Sequence, residues 1–231
     1  MDRGAWIRTL VATLATAVAA CAVPGPTPTG ATMPDLRLHD AATAGDVPAI
    51  ARLIAEGADI DARDELGRTP VLAATHARQV EAVRALFAAG ADPDIRDDRL
   101  DTPFLYAGAE GLLDILRLAH AAGADPTITN RFGGVAVIPA SERGHVEVVR
   151  FLLEATAVDV DHVNDLGWTA LLEAIILADG DAAHQEVVRL LVAHDADVHL
   201  PDKDGMTPLA HARARGQDAV VRILLDAGAT R

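Results

Sequence analysis

The side chains able to do chemistry are few enough to take one at a time. Ser141 is the only serine. It lies in "PASERGH", without the G-x-S-x-G turn that exposes a nucleophile, and reads as a small packing residue. Cys21 is the only cysteine, so no internal disulfide can form, and it stands far from any histidine constellation that would activate a thiol. His145-Val146-Glu147 has the H-x-E spacing that sets a zinc ligand beside a general acid–base, but the cysteine pair that completes such a site is absent. In "DADVHLPDKDG", Asp195 to Gly205, placing Asp202, Asp204 and Gly205 on a calcium loop puts Leu200 first and His211 last, which breaks the ligand set. His184, His194 and His199 lack metal-ligand spacing. No G-x-x-x-x-G-K-[ST], G-x-G-x-x-G or H-E-x-x-H occurs. The sequence therefore predicts no catalytic residue, no metal and no cofactor. One enzymatic alternative stands beside this: Glu142 and Glu173 with a histidine, as a carboxylate-dependent hydrolase or metal-binding protein. A closed cavity lined by those carboxylates would favour it.

The elements that position these residues follow from composition and period. Hydrophobic residues make up 50% of the chain and aromatics only 3%, with Ala, Leu and Val dominant, which favours close helix packing over a sheet sandwich. A formal charge of −14 with no Lys/Arg-rich run excludes a phosphate-backbone partner, so no nucleic acid is expected. From Asp35 onward the chain repeats itself, with Gly57, Gly90 and Gly123 at 33-residue steps. A period of that size means stacked units, each unable to bury its own apolar face. Thr69, Thr102, Thr169 and Thr207 stand where a side-chain oxygen caps a helix, and Pro70, Pro103 and Pro208 follow at the first helical position. Gly67, Gly133, Gly167 and Gly205 precede these starts in tight turns, whereas Leu100 holds the equivalent place and predicts an altered turn there. Asp59, Asp92, Asp125, Asp159 and Asp197 recur at one position and Asp64, Asp97 and Asp202 open turns, so much of the acidity is turn chemistry.

The segments "RDELGRTPVLAA", "TNRFGGVAVIPASERGHVEVVRFLL", "VNDLGWTALLEA" and "KDGMTPLAHARARGQDAVVRILLDAGA" resemble the ankyrin repeat, whose short form is D-x-x-G-x-T-P-L-H-x-A, then G-H-x-x-V-V-x-L-L, then G-A-D. The resemblance covers residues 35–231 in six units: 36–64, 65–97, 98–130, 131–164, 165–202 and 203–231. It implies an all-α solenoid of helix-turn-helix units with short finger turns. The family's T-P-L-H histidine survives only as His39; Leu72, Leu105, Ile138, Leu172 and Ala210 replace it. The fifth unit carries extra residues around "LADGDAA", and the fourth gains one near Thr156-Ala157. The resemblance further implies a monomeric, non-enzymatic scaffold that binds a protein on its concave face, formed by the fingers and first helices. Carried over by position, that face offers Arg68, Arg99, Asp101, Arg131, Phe132, Glu142, Arg143, Asp165, Trp168 and Met206, with Tyr106 and Glu173 close by. Phe132, Trp168 and the arginines are the expected anchors, since aromatics and Arg dominate interface energies.

The N-terminal segment reads differently. Arg3 and Arg8 precede an uncharged run of 12 residues, Thr9 to Ala20, which is signal-peptide anatomy and too short to span a bilayer. Val18-Ala19-Ala20-Cys21 resembles the lipobox of bacterial lipoproteins, in which the cysteine is acylated. The expected organisation is a leader over 1–20, then lipidated Cys21 with a Pro-rich linker over 21–34, then the repeats. The expected location is the cell envelope, on the periplasmic side of a membrane, with Ala22 pointing to the outer membrane of a Gram-negative cell. Cleavage after Ala19 by an ordinary secretory route would leave Cys21 as a free thiol and the protein soluble; an inefficient leader would leave it cytoplasmic.

Overall fold

The computed structural model describes residues 36–230. The leader, Cys21 and the linker lie outside the described residues. The repeats fold into six helix pairs: α1 (Arg37–Ala44) with α2 (Val47–Ala55), α3 (Pro70–His76) with α4 (Val80–Ala88), α5 (Pro103–Ala109) with α6 (Leu113–Ala121), α7 (Val137–Glu142) with α8 (Val146–Ala155), α9 (Ala170–Ile176) with α10 (Ala182–Ala193), and α11 (Pro208–Ala214) with α12 (Asp218–Asp226). No strand occurs among the described residues. First helices pack on first helices and second on second in chain order, giving two layers with the core between them.

The period becomes burial in three dimensions. Leu53, Leu86, Ala119, Leu152, Leu191 and Leu224 hold one position in successive second helices, and each is buried. Opposite them the first helices contribute Leu38, Val71, Phe104, Val137, Leu171 and Leu209, also buried. Every unit is thus closed by its neighbour, which is why the stack and no single pair forms the folding unit.

The helix starts match their expected chemistry. The hydroxyls of Thr69, Thr102, Thr169 and Thr207 accept from the backbone N–H three residues on, at 3.4, 3.2, 3.2 and 3.3 Å. α7 has no such cap, because Val135 stands where the threonine would be. The extra residues of the fifth unit become a new start: Asp181 Oδ1 accepts from His184 N at 2.9 Å and opens the 12-residue α10.

The recurrent acids build the fingers. Asp64, Asp97, Asn130, Asn164 and Asp202 each use Oδ1 to accept from the N–H groups two and four residues on. Asp61, Asp94 and Asp161 accept from the backbone of the following unit, at Asp92, Asp125 and Asp197, and so stitch units together. Leu100 corrects an expectation. It adopts φ +63°, and its N–H donates to Asp97 O at 3.0 Å, as Gly67 at φ +73° donates to Asp64 O at 2.9 Å. The third finger keeps the common turn, and the branched side chain bears the strain.

Candidate binding groove

The fingers and first helices of the third to fifth units enclose a cavity of about 270 Å³. Three finger turns supply Arg99 and Asp101, then Asn130, Arg131, Phe132 and Gly134, then Asn164 and Leu166; α5, α7 and α9 with their caps supply Tyr106, Glu110, Ile138, Pro139, Glu142, Arg143, Glu173 and Leu177. Eight of the residues nominated from the sequence meet here: Arg99, Asp101, Tyr106, Arg131, Phe132, Glu142, Arg143 and Glu173. Four lie outside the lining. Arg68 is held by Asp64 at 2.7 Å, and Asp165 donates its N–H to Phe132 O at 2.9 Å while its carbonyl takes Lys203. Trp168 is partly buried, its backbone donating to Asn164 Oδ1 at 3.0 Å, and Met206 is exposed on the last finger.

Large apolar side chains stand open at the rim. Phe132, Leu166 and Leu177 are each 50% exposed, whereas most other large hydrophobics among the described residues are buried or partly buried. Phe132 and Leu166 hold the same finger position in adjacent units, so register made Leu166 findable from the sequence. Leu177 caps α9 and is brought to the rim only by the stacking of units. Glu110, Asn130 and Asn164 also line the cavity, and no motif in the sequence marks them for it.

The charges divide into satisfied and unsatisfied groups. Arg143 donates to Glu110 and to Ala109 O, and Arg78 reaches Glu110 from the second unit at 3.4 Å; the Arg143 hydrogen bond holds the Glu110 carboxyl below its ordinary range. Arg99 lies 4.0 Å from Asp101, whose pKa burial and the neighbouring Asp97 push up. Arg131 sits over the Phe132 ring, 4.5 Å from its centroid. Tyr106 stacks on His76 at 3.8 Å, and burial lowers the His76 pKa, favouring the neutral ring. Glu173 differs. It is 6% exposed, its Oε1 accepts from Asn164 Nδ2 at 2.7 Å, and burial together with the charge of Glu142 raises its pKa to about 7.

The carboxylates named for the hydrolytic alternative do share this cavity, but no histidine lines it. His145 bonds Ala109 O at 3.2 Å and His184 bonds Glu142 O at 3.0 Å, each linking one unit to the next from outside the lining. Among the described residues, no three His, Cys, Asp or Glu side chains gather as a metal would require.

Comparison with known proteins agrees with this architecture. The family model for ankyrin repeats (3 copies) matches residues 38–130, 104–200 and 140–230. The putative ankyrin repeat protein YahD of Escherichia coli K12 is 41% identical over 189 residues, 82% of this chain and 94% of that protein. A solved ankyrin repeat domain from Acinetobacter baumannii AYE superposes with a TM-score of 0.82 at 51% identity, covering 84% of this chain and 99% of that one. Protein phosphatase 1 regulatory subunit 27 of Mus musculus is 35% identical over 89 residues, 38% of this chain and 54% of that protein. With its six stacked helix pairs, capped first helices and finger turns, the chain belongs to the ankyrin repeat family.

Proposed function

We propose that this protein is a non-catalytic scaffold that captures a protein partner in the groove of its third to fifth units, and that it does so in the cell envelope. Ankyrin repeats imply a protein–protein interaction scaffold. The observation that carries the choice of face is the exposure of Phe132, Leu166 and Leu177 around one cavity that also holds polar groups for orientation. Open apolar side chains rimmed by charge are what a docking surface needs and what a lone soluble face avoids. The name of the mouse relative, a regulatory subunit, fits a repeat array that acts by holding another protein. The envelope location rests on the sequence alone: the charged start, the uncharged run and Cys21 at its end. Acylation there would hold the repeats at a membrane through the Pro-rich linker, and the protein would act as a monomer.

One experiment in intact cells tests both parts. Crosslinking capture followed by mass spectrometry is run on the native protein, a Phe132→Ala/Leu166→Ala variant and a Cys21→Ala variant, each also fractionated. The expected result is a partner recovered at least tenfold less with the groove variant, whose helix content and melting stay unchanged. Cys21→Ala should move the protein from the membrane to the soluble fraction. Equal recovery by the groove variant sinks the choice of face; unchanged membrane association of Cys21→Ala sinks the anchor.

A further inference from the structure

Resting on the groove reading above, we infer that the cavity between the third and fifth units is a receptacle for one lysine or arginine side chain of the partner, its cationic head held between Glu142 and Glu173. The cavity's fixed cations already have partners: Arg143 is bound to Glu110, Arg99 lies beside Asp101, and Arg131 covers the Phe132 ring. Its acids are not all matched. Among the described residues neither Glu142 nor Glu173 is ion-paired with a Lys, Arg or His, and Glu173, 6% exposed and lining the cavity, has only the Asn164 amide as a side-chain partner. A buried carboxyl left without a counter-charge is a costly arrangement that a bound cation relieves. The pKa of about 7 at Glu173, raised by burial and by Glu142, reports that cost.

The corresponding position of the next unit makes the same finger-to-helix link with a different pair of side chains. There His211 Nε2 meets Asp202 Oδ2 at 2.7 Å, from the helix and finger positions that Glu173 and Asn164 hold in the fifth unit. In the fifth unit a carboxyl stands where the sixth has an imidazole and an amide where it has a carboxylate, so the same finger-to-helix link is made there without a basic side chain. Size agrees as well. About 270 Å³ falls below the usual range for a drug-sized ligand and suits a single long side chain. Phe132, Leu166 and Leu177 at the rim would lie along its methylene stem and the apolar residues beside it.

The test uses the full chain as bait for a phage-displayed library of random 12-residue peptides, with binders then synthesised and titrated. Peptides sharing one lysine or arginine beside apolar residues are expected. Their affinity should fall at least tenfold with Glu142→Gln, with Glu173→Gln, and when the peptide's lysine is replaced by norleucine, which keeps the stem and deletes the charge. Glu142→Gln is a partly exposed change and keeps the test valid should Glu173→Gln alter packing. Peptides that lose binding to Phe132→Ala but are acidic or uncharged, or that tolerate both glutamine variants, would overturn the basic receptacle and leave the groove as the docking face. Selected peptides indifferent to Phe132→Ala, or an empty selection, would overturn both.

Discussion

At the scale of residues, Glu173 is where the fold and the proposed activity pull against each other. Its carboxyl has an ordinary pKa of 4.5 and one of about 7 in the folded protein, raised by burial first and the Glu142 charge second. A raised folded pKa means that the native state holds the proton more tightly than the unfolded chain. The stability it contributes is complete below about pH 4.5 and is lost as pH rises to about 7. Glu173→Gln keeps an oxygen for Asn164 and removes the titration. It should match the native protein at pH 4 and exceed it by about 1–2 kcal/mol at pH 8, a figure reduced from the full shift for solvent in the cavity. Urea unfolding at the two pH values checks this; an equal gain at both would mean that Glu173 does not titrate as its surroundings dictate. Leu100 is the second residue under strain. With glycine in the left-handed turn the side-chain clash disappears while backbone entropy is lost, so Leu100→Gly should stabilise by about 0.5–1 kcal/mol in thermal unfolding.

At the scale of elements, the first helices are six to eight residues long, too short to hold together alone, and depend on caps and neighbours. α9 carries Glu173 and ends at Leu177, so its start governs one wall of the groove. Thr169→Ala deletes the hydroxyl that accepts from Leu172 N at 3.2 Å and should cost about 1 kcal/mol. The same variant should accelerate amide exchange along α9 while the second-layer helix α6 stays protected; uniform acceleration would mean that the cap serves the whole stack. The finger turns were legible in the sequence because Asp, Asn and Gly act on backbone groups two to four residues away. The third finger departs from expectation for the same reason: local chemistry disfavours leucine at φ +63°, yet the N–H groups of Arg99 and Asp101 both donate to Asp97 Oδ1 and, with the packed helix behind, impose the turn.

At the scale of the whole molecule, stability is shared between neighbouring units along a line. Leu152 lies in the middle of the buried column and behind the groove, whereas Leu224 lies in the last unit. Leu152→Ala should cost about 2–5 kcal/mol and split urea unfolding into two transitions, because it weakens the central unit through which the two halves of the stack are coupled. Leu224→Ala should fray the last pair and leave the groove able to bind. Circular dichroism with peptide titration distinguishes them; a single sharp transition for both would contradict the linear picture. The amino-acid sequence by itself determined the family, the six units, the caps and the turn acids, because each is written in contacts a few residues apart or in a period that the chain repeats. Only the tertiary structure decided which nominated residues share a cavity, that Arg143 and Arg99 are already matched by acids, and that Glu173 is buried without a cation. The Arg143–Glu110 pair joins side chains 33 residues apart across a unit boundary, the cavity gathers residues of three units, and the burial of Glu173 is a loss of solvent that no local pattern records.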